Sequence, residues 1–428
     1  MLKRSGGITS TDLLWPFLWK CIGVGGSFLS AVVVARLLGA DQAGWFSLGQ
    51  TTATVVATIS ALGIDTASMR AISAMLAHGA RNEANSVVGA AVWAVGGLAA
   101  AISGVGFIGI HYLGISGVLV RYKSLYIANG LLAVVGLAMA TLFAEFFRAT
   151  KRPGWTVWFQ SACVPLMLIV GMLIFGSSLT ATGALWLYGG CTWTTALCAA
   201  LYWQYKWAMP ICRPALIKSV ELIRTGIFMF TTTGGIALLG WIEMLALSHW
   251  GRGSDLALLY ASQRIAALVA LPLTIINVVA APRFAALYAT ENYRELRRIV
   301  IKVIFGSVAC GVPVLIFLGI EGRWILGLYG PTFVHARDAL NLLLAGQLVN
   351  VVSGPVLYVL MMCGREKLAF ICVSVAIVTD GLCVVSWVPR WGLMGAAASS
   401  ASATVALNVL GAVLAYSMLF YNVKRRVA

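Results

Sequence analysis

The chain has 428 residues, of which 60% are hydrophobic and only 10% charged, with a formal net charge of +16 and a mean hydropathy of +0.91. Soluble domains carry about 25% charged residues, and no soluble fold covers this much apolar surface, so the composition excludes a water-soluble globular protein. At about 20 apolar residues per bilayer crossing, the apolar content suffices for about twelve spans.

The first residues, MLKRSGGITSTDLLWPFLWK, begin with positive charge, but the apolar run that follows continues to about Ala35 without a small-residue cleavage site. It is expected to be a retained first helix and not a removed signal. Apolar runs between charged or Gly/Pro-marked breaks predict twelve helices near 13 to 35, 43 to 64, 87 to 112, 122 to 145, 155 to 176, 181 to 205, 222 to 248, 257 to 281, 301 to 320, 337 to 362, 368 to 388 and 392 to 420. The connections between them are too short to hold a folded domain. Tryptophans such as Trp19, Trp158, Trp207 and Trp391 fall near predicted span ends, as an aromatic belt requires. The segment Glu291 to Lys302, ENYRELRRIVIK, reads as a short basic amphipathic helix that anchors on anionic lipid.

Counting Lys and Arg in alternate connections gives 21 of the 30 on one side and seven on the other, with Lys20 and Arg264 left inside spans. Positive residues near span ends are retained in the cytoplasm. The bias therefore places both termini there, in a multi-pass membrane protein, and favours an even number of spans. The same topology accounts for the net charge without nucleic acid as a partner, because the basic residues are scattered through short connections. The 45 glycines and 11 prolines suit helices that pack closely through small residues. The nine cysteines form no CxxC pair or Cys/His cluster and read as packing residues, so neither a metal nor another cofactor is expected.

An internal repeat is visible. Gly39 and Gly253 align in two outer turns, Arg70 and Arg283 follow the next helix in each half, and Gly183-Ala184 and Gly395-Ala396 open the last helix of each half. Near-constant offsets suggest two related six-helix halves, 1 to 212 and 213 to 428, in parallel orientation.

The stretch AVVVARLLGADQAGWFSLGQ, with Arg36, Leu38, Gly39, Asp41, Gly44 and Phe46, followed by ALGIDTASMRAISA, resembles the opening of Wzx-type polysaccharide-biosynthesis flippases. LLYASQRIAAL, AAPRFAALYATENYRELRRI, ILGLYGPTFVHARDALNLLLAG and WGLMGAAASSASA extend the resemblance over essentially the whole chain, in the same order. It implies the fold of the multidrug/oligosaccharidyl-lipid/polysaccharide exporter superfamily, two six-helix bundles forming a V that opens alternately to each side. It also implies an undecaprenyl-diphosphate-linked oligosaccharide as substrate, with polysaccharide polymerase machinery as a further partner.

Each charge inside a span costs on the order of 2.5 to 3.5 kcal/mol at mid-helix and needs a partner or a wet cavity. The residues concerned are Lys20, Glu145, Glu243, Arg264 and Asp380. Lys20 either snorkels back to the headgroups or meets the lipid diphosphate. Arg264 can bind phosphate in a bidentate fork or form an ion pair with Glu243, which is expected at similar depth. Glu145 is expected to pair with Arg148 at i+3. Asp380 has no partner in its own helix and is a candidate for ion coupling. Substrate binding is therefore assigned to Arg264, Lys20 and Glu243, and coupling to Asp380. With no HExxH pair of histidines and no P-loop, the chain is expected not to be an enzyme. A drug or metabolite exporter of the related MATE type is the alternative. A glycan polymerase or ligase would carry a long outer loop, and the connection at about 321 to 336 is modest.

Overall fold

A computed structural model describes residues 10–111, 121–150, 152–207 and 216–427 of the chain. The boundary between halves placed at 212/213, and several of the basic residues counted above, among them Lys3, Arg4, Lys151 and Arg213, lie outside the described residues. The described residues are helical and contain no strand. The chain separates into two compact units, Met1–Gly234 and Gly235–Ala428.

The first unit contains α1 (Ser10–Ala61), α2 (Ile64–Ala77), α3 (Arg81–His111), α4 (Arg121–Leu131), α5 (Val134–Ala149), α6 (Pro153–Val157), α7 (Cys163–Phe175), α8 (Ala181–Trp207) and the first part of α9 (Leu216–Trp250). The second contains the rest of α9, then α10 (Gly253–Ala267), α11 (Leu271–Ala289), α12 (Tyr293–Tyr329), α13 (Arg337–Ser353), α14 (Val356–Met362), α15 (Glu366–Trp391) and α16 (Leu393–Val427). Seven helices are long and apolar enough to cross a membrane, and the bent pairs α4/α5 and 331–353/α14 raise this to nine. One of the seven, Leu18–Ala61, is kinked at Gly39, which adopts a left-handed φ of 76° that side chains resist. The kink makes two crossing segments of it. With α8 and α9, which are 27 and 35 residues long, the described residues are roughly consistent with the twelve helices expected from sequence.

One expectation is corrected. ENYRELRRIVIK is not a separate surface helix: from Tyr293 it is the opening of α12, which continues unbroken for 37 residues. Asn292 caps it, its side chain accepting from the Glu295 amide at 3.2 Å, and Glu295 pairs with Arg298 at 3.1 Å. The charge at this end serves the start of a span, so its amphipathic pattern reports the membrane boundary.

Glycines set the packing within each unit. A Cβ on Gly130 of α4 would overlap the backbone of Gly49 on α1, and a Cβ on Gly23 of α1 would sit 2.8 Å from the Ser161 Cβ. In the second unit Gly235 of α9 packs on Val373 of α15, and Gly346 of α13 lies against Ala401 of α16. Lipid supplies no hydrophobic force between helices, so these close backbone approaches and their dispersion contacts hold the bundles together. Around them lie cores of fully buried side chains: Phe146, Phe147 and Trp203 in the first unit, Phe284, Leu296 and Leu360 in the second.

Gly130→Val is therefore expected to destabilise the detergent-solubilised protein by about 1–3 kcal/mol, the usual cost of overpacking. Gly97→Val, at a position with no atom within 4 Å of the added Cβ, is the control. Thermal midpoints of the two variants measure the difference, and equal midpoints would contradict this account of α1 against α4.

Candidate functional site

Of the membrane-embedded charges, Glu243 and Asp380 lie together in the second unit and Glu145 lies with Arg148 in the first. In the second unit, the contact of Gly235 with Val373 fixes α9 beside α15. Glu243 and Asp380 lie eight and seven residues further along those helices, about two turns in each case, and both side chains are fully buried. Asp380 lies within electrostatic reach of the Glu243 carboxyl, and Ser400 of α16 approaches the same group. The Gln263 side-chain amide of α10 donates to Glu243 Oε2. Glu243 Oε1 and both carboxyl oxygens of Asp380 have no hydrogen-bond partner among the described residues. Of these two buried acids only Glu243 meets donors among the described residues, Gln263 and Ser400, an arrangement that a bound cation or proton would complete.

Arg264 follows Gln263 but is turned elsewhere. Its guanidinium donates to Tyr260 Oη at 2.7 Å and lies 4.9 Å from the centre of the Tyr260 ring, a cation–π arrangement. The buried Tyr329 of α12 lies within reach of both. Glu243 therefore meets Gln263, where the sequence offered an ion pair with Arg264. Adjacent positions on a helix point about 100° apart, so only one of the two can face Glu243.

In the first unit a run of stacked rings positions the cluster. Phe147 of α5 contacts Phe159 at 5.5 Å and Trp203 of α8 at 5.6 Å, and Trp155 contacts Phe159 at 5.9 Å. These rings hold the end of α5 against a π-helical turn, Trp158–Ala162, between α6 and α7. Gly23 lets α1 approach that turn, and Lys20, one turn earlier on α1, donates to Ser161 Oγ at 3.3 Å. Glu145 and Arg148 form the expected i,i+3 pair at 3.1 Å. Asp65 of α2 and Lys20 both lie within electrostatic reach of Arg148. Among the described residues no group of three His, Cys, Asp or Glu side chains could hold a metal ion.

A family model described as polysaccharide biosynthesis protein matches residues 11–288. The chain belongs to the polysaccharide biosynthesis protein family. A curated relative, the probable flippase AglR of Haloferax volcanii, is 26% identical over 182 residues, which is 42% of this chain and 37% of that protein. The matched stretch thus spans less than half of the relative's length. Among solved structures, an inward-facing multidrug resistance MATE family transporter of the MOP superfamily aligns with a TM-score of 0.80 at 13% identity, over 97% of this chain and 100% of the other. The lipid II flippase MurJ in an inward closed conformation aligns at 0.72 and 10% identity, over 97% and 88%. A MOP superfamily transporter from Pyrococcus furiosus aligns at 0.67 and 14%, over 95% of both chains. The family member is therefore a multi-pass membrane protein with the MOP superfamily fold.

Sequence reading missed Gln263, Ser161, Asp65 and Ser400. Gln263 was hidden beside the more conspicuous Arg264, and Asp65 falls one residue past the predicted end of the second span. Substituting Gln263→Leu leaves Glu243 buried without its donor and is expected to cost about 1–3 kcal/mol. The double variant Glu243→Leu/Gln263→Leu is expected to recover most of that loss. Thermal denaturation of the four proteins measures the coupling, and simple additivity would contradict the pairing.

Proposed function

We propose that this family member is a flippase that translocates an undecaprenyl-diphosphate-linked oligosaccharide across the bacterial cytoplasmic membrane by alternating access. It is read as a transporter and not an enzyme, with both termini cytoplasmic, residues 1–212 and 213–428 as the two moving bundles, and polysaccharide polymerase machinery as a downstream partner. The observation that carries the reading is the pair of basic side chains inside the spans of a polysaccharide biosynthesis family protein. Lys20 rests on a neutral hydroxyl and Arg264 is held by a tyrosine on its own helix. Each such charge is costly inside a span, and each supplies the donors that an anionic ligand can engage. A diphosphate carried unpaired through hydrocarbon would be prohibitive, and an ammonium or a guanidinium compensates it by charge-assisted hydrogen bonds.

Glu243, expected from sequence to bind substrate, joins Asp380 in the coupling role. The two buried acids and Gln263 take up a cation or proton whose gradient drives the return of the carrier. Cycling then links occupancy of this acid pair to exposure of the basic groups. The likeness of fold to multidrug transporters, together with a buried acid pair, supports a second reading, a MATE-like exporter of cationic compounds.

Expression in a strain that lacks its own lipid-linked-glycan flippase tests the proposal. The wild-type chain is expected to restore surface glycan and clear accumulated lipid-linked precursor. Lys20→Ala and Arg264→Ala, at equal membrane abundance, are expected to lower the transport rate roughly 10- to 100-fold, the factor that goes with one charge-assisted hydrogen bond. Asp380→Asn is expected to leave lipid-linked precursor binding intact while abolishing the dependence of transport on the cation gradient. Absence of restoration over a panel of matched glycans, accompanied by drug efflux, would replace the flippase with the exporter.

A further inference from the structure

The π-helical turn Trp158–Ala162 faces two ways. On one side Ser161 receives the Lys20 ammonium at 3.3 Å, and Trp158 packs on Trp19 with ring centres 4.6 Å apart. On the other side Trp158 closes one end of a groove of about 660 Å³ that runs between α7 and α8. The extra residue of a π turn shifts side-chain register, and such turns recur at functional sites.

The groove is almost wholly apolar. Its walls include Met167 and Gly171 of α7 and Trp186, Gly190 and Cys191 of α8. From Trp158 to Gly171 it follows thirteen residues of chain, about 20 Å at helical rise, or roughly two-thirds of the ~30 Å hydrocarbon core. Its size falls in the ~300 to 1,000 Å³ range of small-molecule sites. Gly190 has no atom within 4 Å of where a Cβ would stand, so the groove is open at that point. A second groove of about 680 Å³ lies on the other face of α8 and shares Trp186 and Gly190. Neither groove is lined by a basic side chain; the first adjoins one through Trp158, which packs on Trp19, the neighbour of Lys20 in sequence.

We propose that the groove between α7 and α8 holds the isoprenoid tail of the lipid-linked substrate, with the anionic head of the same molecule at Lys20. This inference rests on the flippase reading above and adds where the tail docks. An apolar channel that begins beside a half-buried ammonium matches a ligand with an anionic head and a long apolar chain. The cation sets the register of the head, and the groove selects for the chain. Adaptable sulfur side chains, Cys163, Met167 and Cys191, suit a methyl-branched chain.

The test uses the full chain in nanodiscs of phosphatidylcholine and phosphatidylglycerol, with a polyprenyl diphosphate that carries a photoreactive diazirine on a mid-chain isoprene. Irradiation followed by peptide mass spectrometry is expected to place the adducts between residues 158 and 194. Gly190→Trp, which fills the open point, is expected to lower adduct yield roughly tenfold, the factor that goes with a few lost methylene contacts. Val170→Trp, at an exposed position of the same wall, serves if the first variant fails to reach the membrane. Adducts confined to other helices would overturn the proposal, as would equal labelling by a diazirine phosphatidylglycerol, which makes the groove a site for bulk lipid. Labelling blocked in a dimer and recovered in the monomer would also overturn it, by making the occupant a second copy of the chain. A parallel translocation assay separates the two claims. Wild-type translocation without groove labelling overturns the groove alone, whereas failure of the wild type to move any polyprenyl-linked glycan overturns the flippase reading itself.

Discussion

In hydrocarbon every backbone amide and carbonyl must be satisfied within the chain, and every charge needs a partner, because no water is there to supply one. The helices of the described residues, their kinks and the placement of charge all follow from that constraint. Helices satisfy their own backbones, so the chain runs as crossing segments joined by short turns. Where a segment must bend, as at Gly39 with its φ of 76°, the residue is one that accepts the left-handed region. Since lipid tails are as apolar as the side chains, helices are not pressed together by water. Close contact comes instead from positions such as Gly23, Gly130, Gly235 and Gly346, where a missing side chain lets backbones approach.

Those glycine contacts also set the chemistry. Gly23 brings α1 to the π turn and so carries Lys20 to Ser161, and Gly235 brings α9 to α15 and so carries Glu243 to Asp380. Packing and function are therefore coupled within each unit. The two clusters differ in kind. In the first, Lys20, Arg148, Glu145 and Asp65 balance one another in sign, with Glu145 and Arg148 in direct contact. In the second, Glu243 meets Gln263 and Ser400, Asp380 has no hydrogen-bond partner among the described residues, and Arg264 lies over Tyr260. The second cluster is left incomplete by its own side chains, whereas the first is closed by ion pairing, with Lys20 on the Ser161 hydroxyl at its edge.

Much of this was legible in the sequence because it depends on composition and on spacing along one helix. The number of crossing segments follows from apolar length, the kink from Gly39 in the turn LLGADQAGWF, and the Glu145–Arg148 pair from an i,i+3 spacing. The family resemblance, drawn from short motifs spread along the chain, agrees with the match over residues 11–288. What was not legible depends on rotation about helix axes. Gln263 and Arg264 are adjacent, and which of them faces Glu243 is decided by how α10 is turned against α9. Helices that are apolar on all sides give no periodic signal for that rotation. The same limit hid Ser161, whose orientation depends on the extra residue of the π turn, and it made the opening of α12 look like a separate surface helix.

The most direct test of the account is vectorial transport by the purified protein. Proteoliposomes are loaded with a fluorescent undecaprenyl-diphosphate-linked oligosaccharide, a cation gradient is imposed, and a membrane-impermeant glycosidase reports the fraction of head groups that reach the outer leaflet. Accessibility that rises above that of protein-free vesicles only when the gradient is present, and stays at the protein-free level with Lys20→Ala or Asp380→Asn, is the predicted result. Accessibility indistinguishable from protein-free vesicles for the wild-type chain, under proton and sodium gradients of either direction, would contradict it.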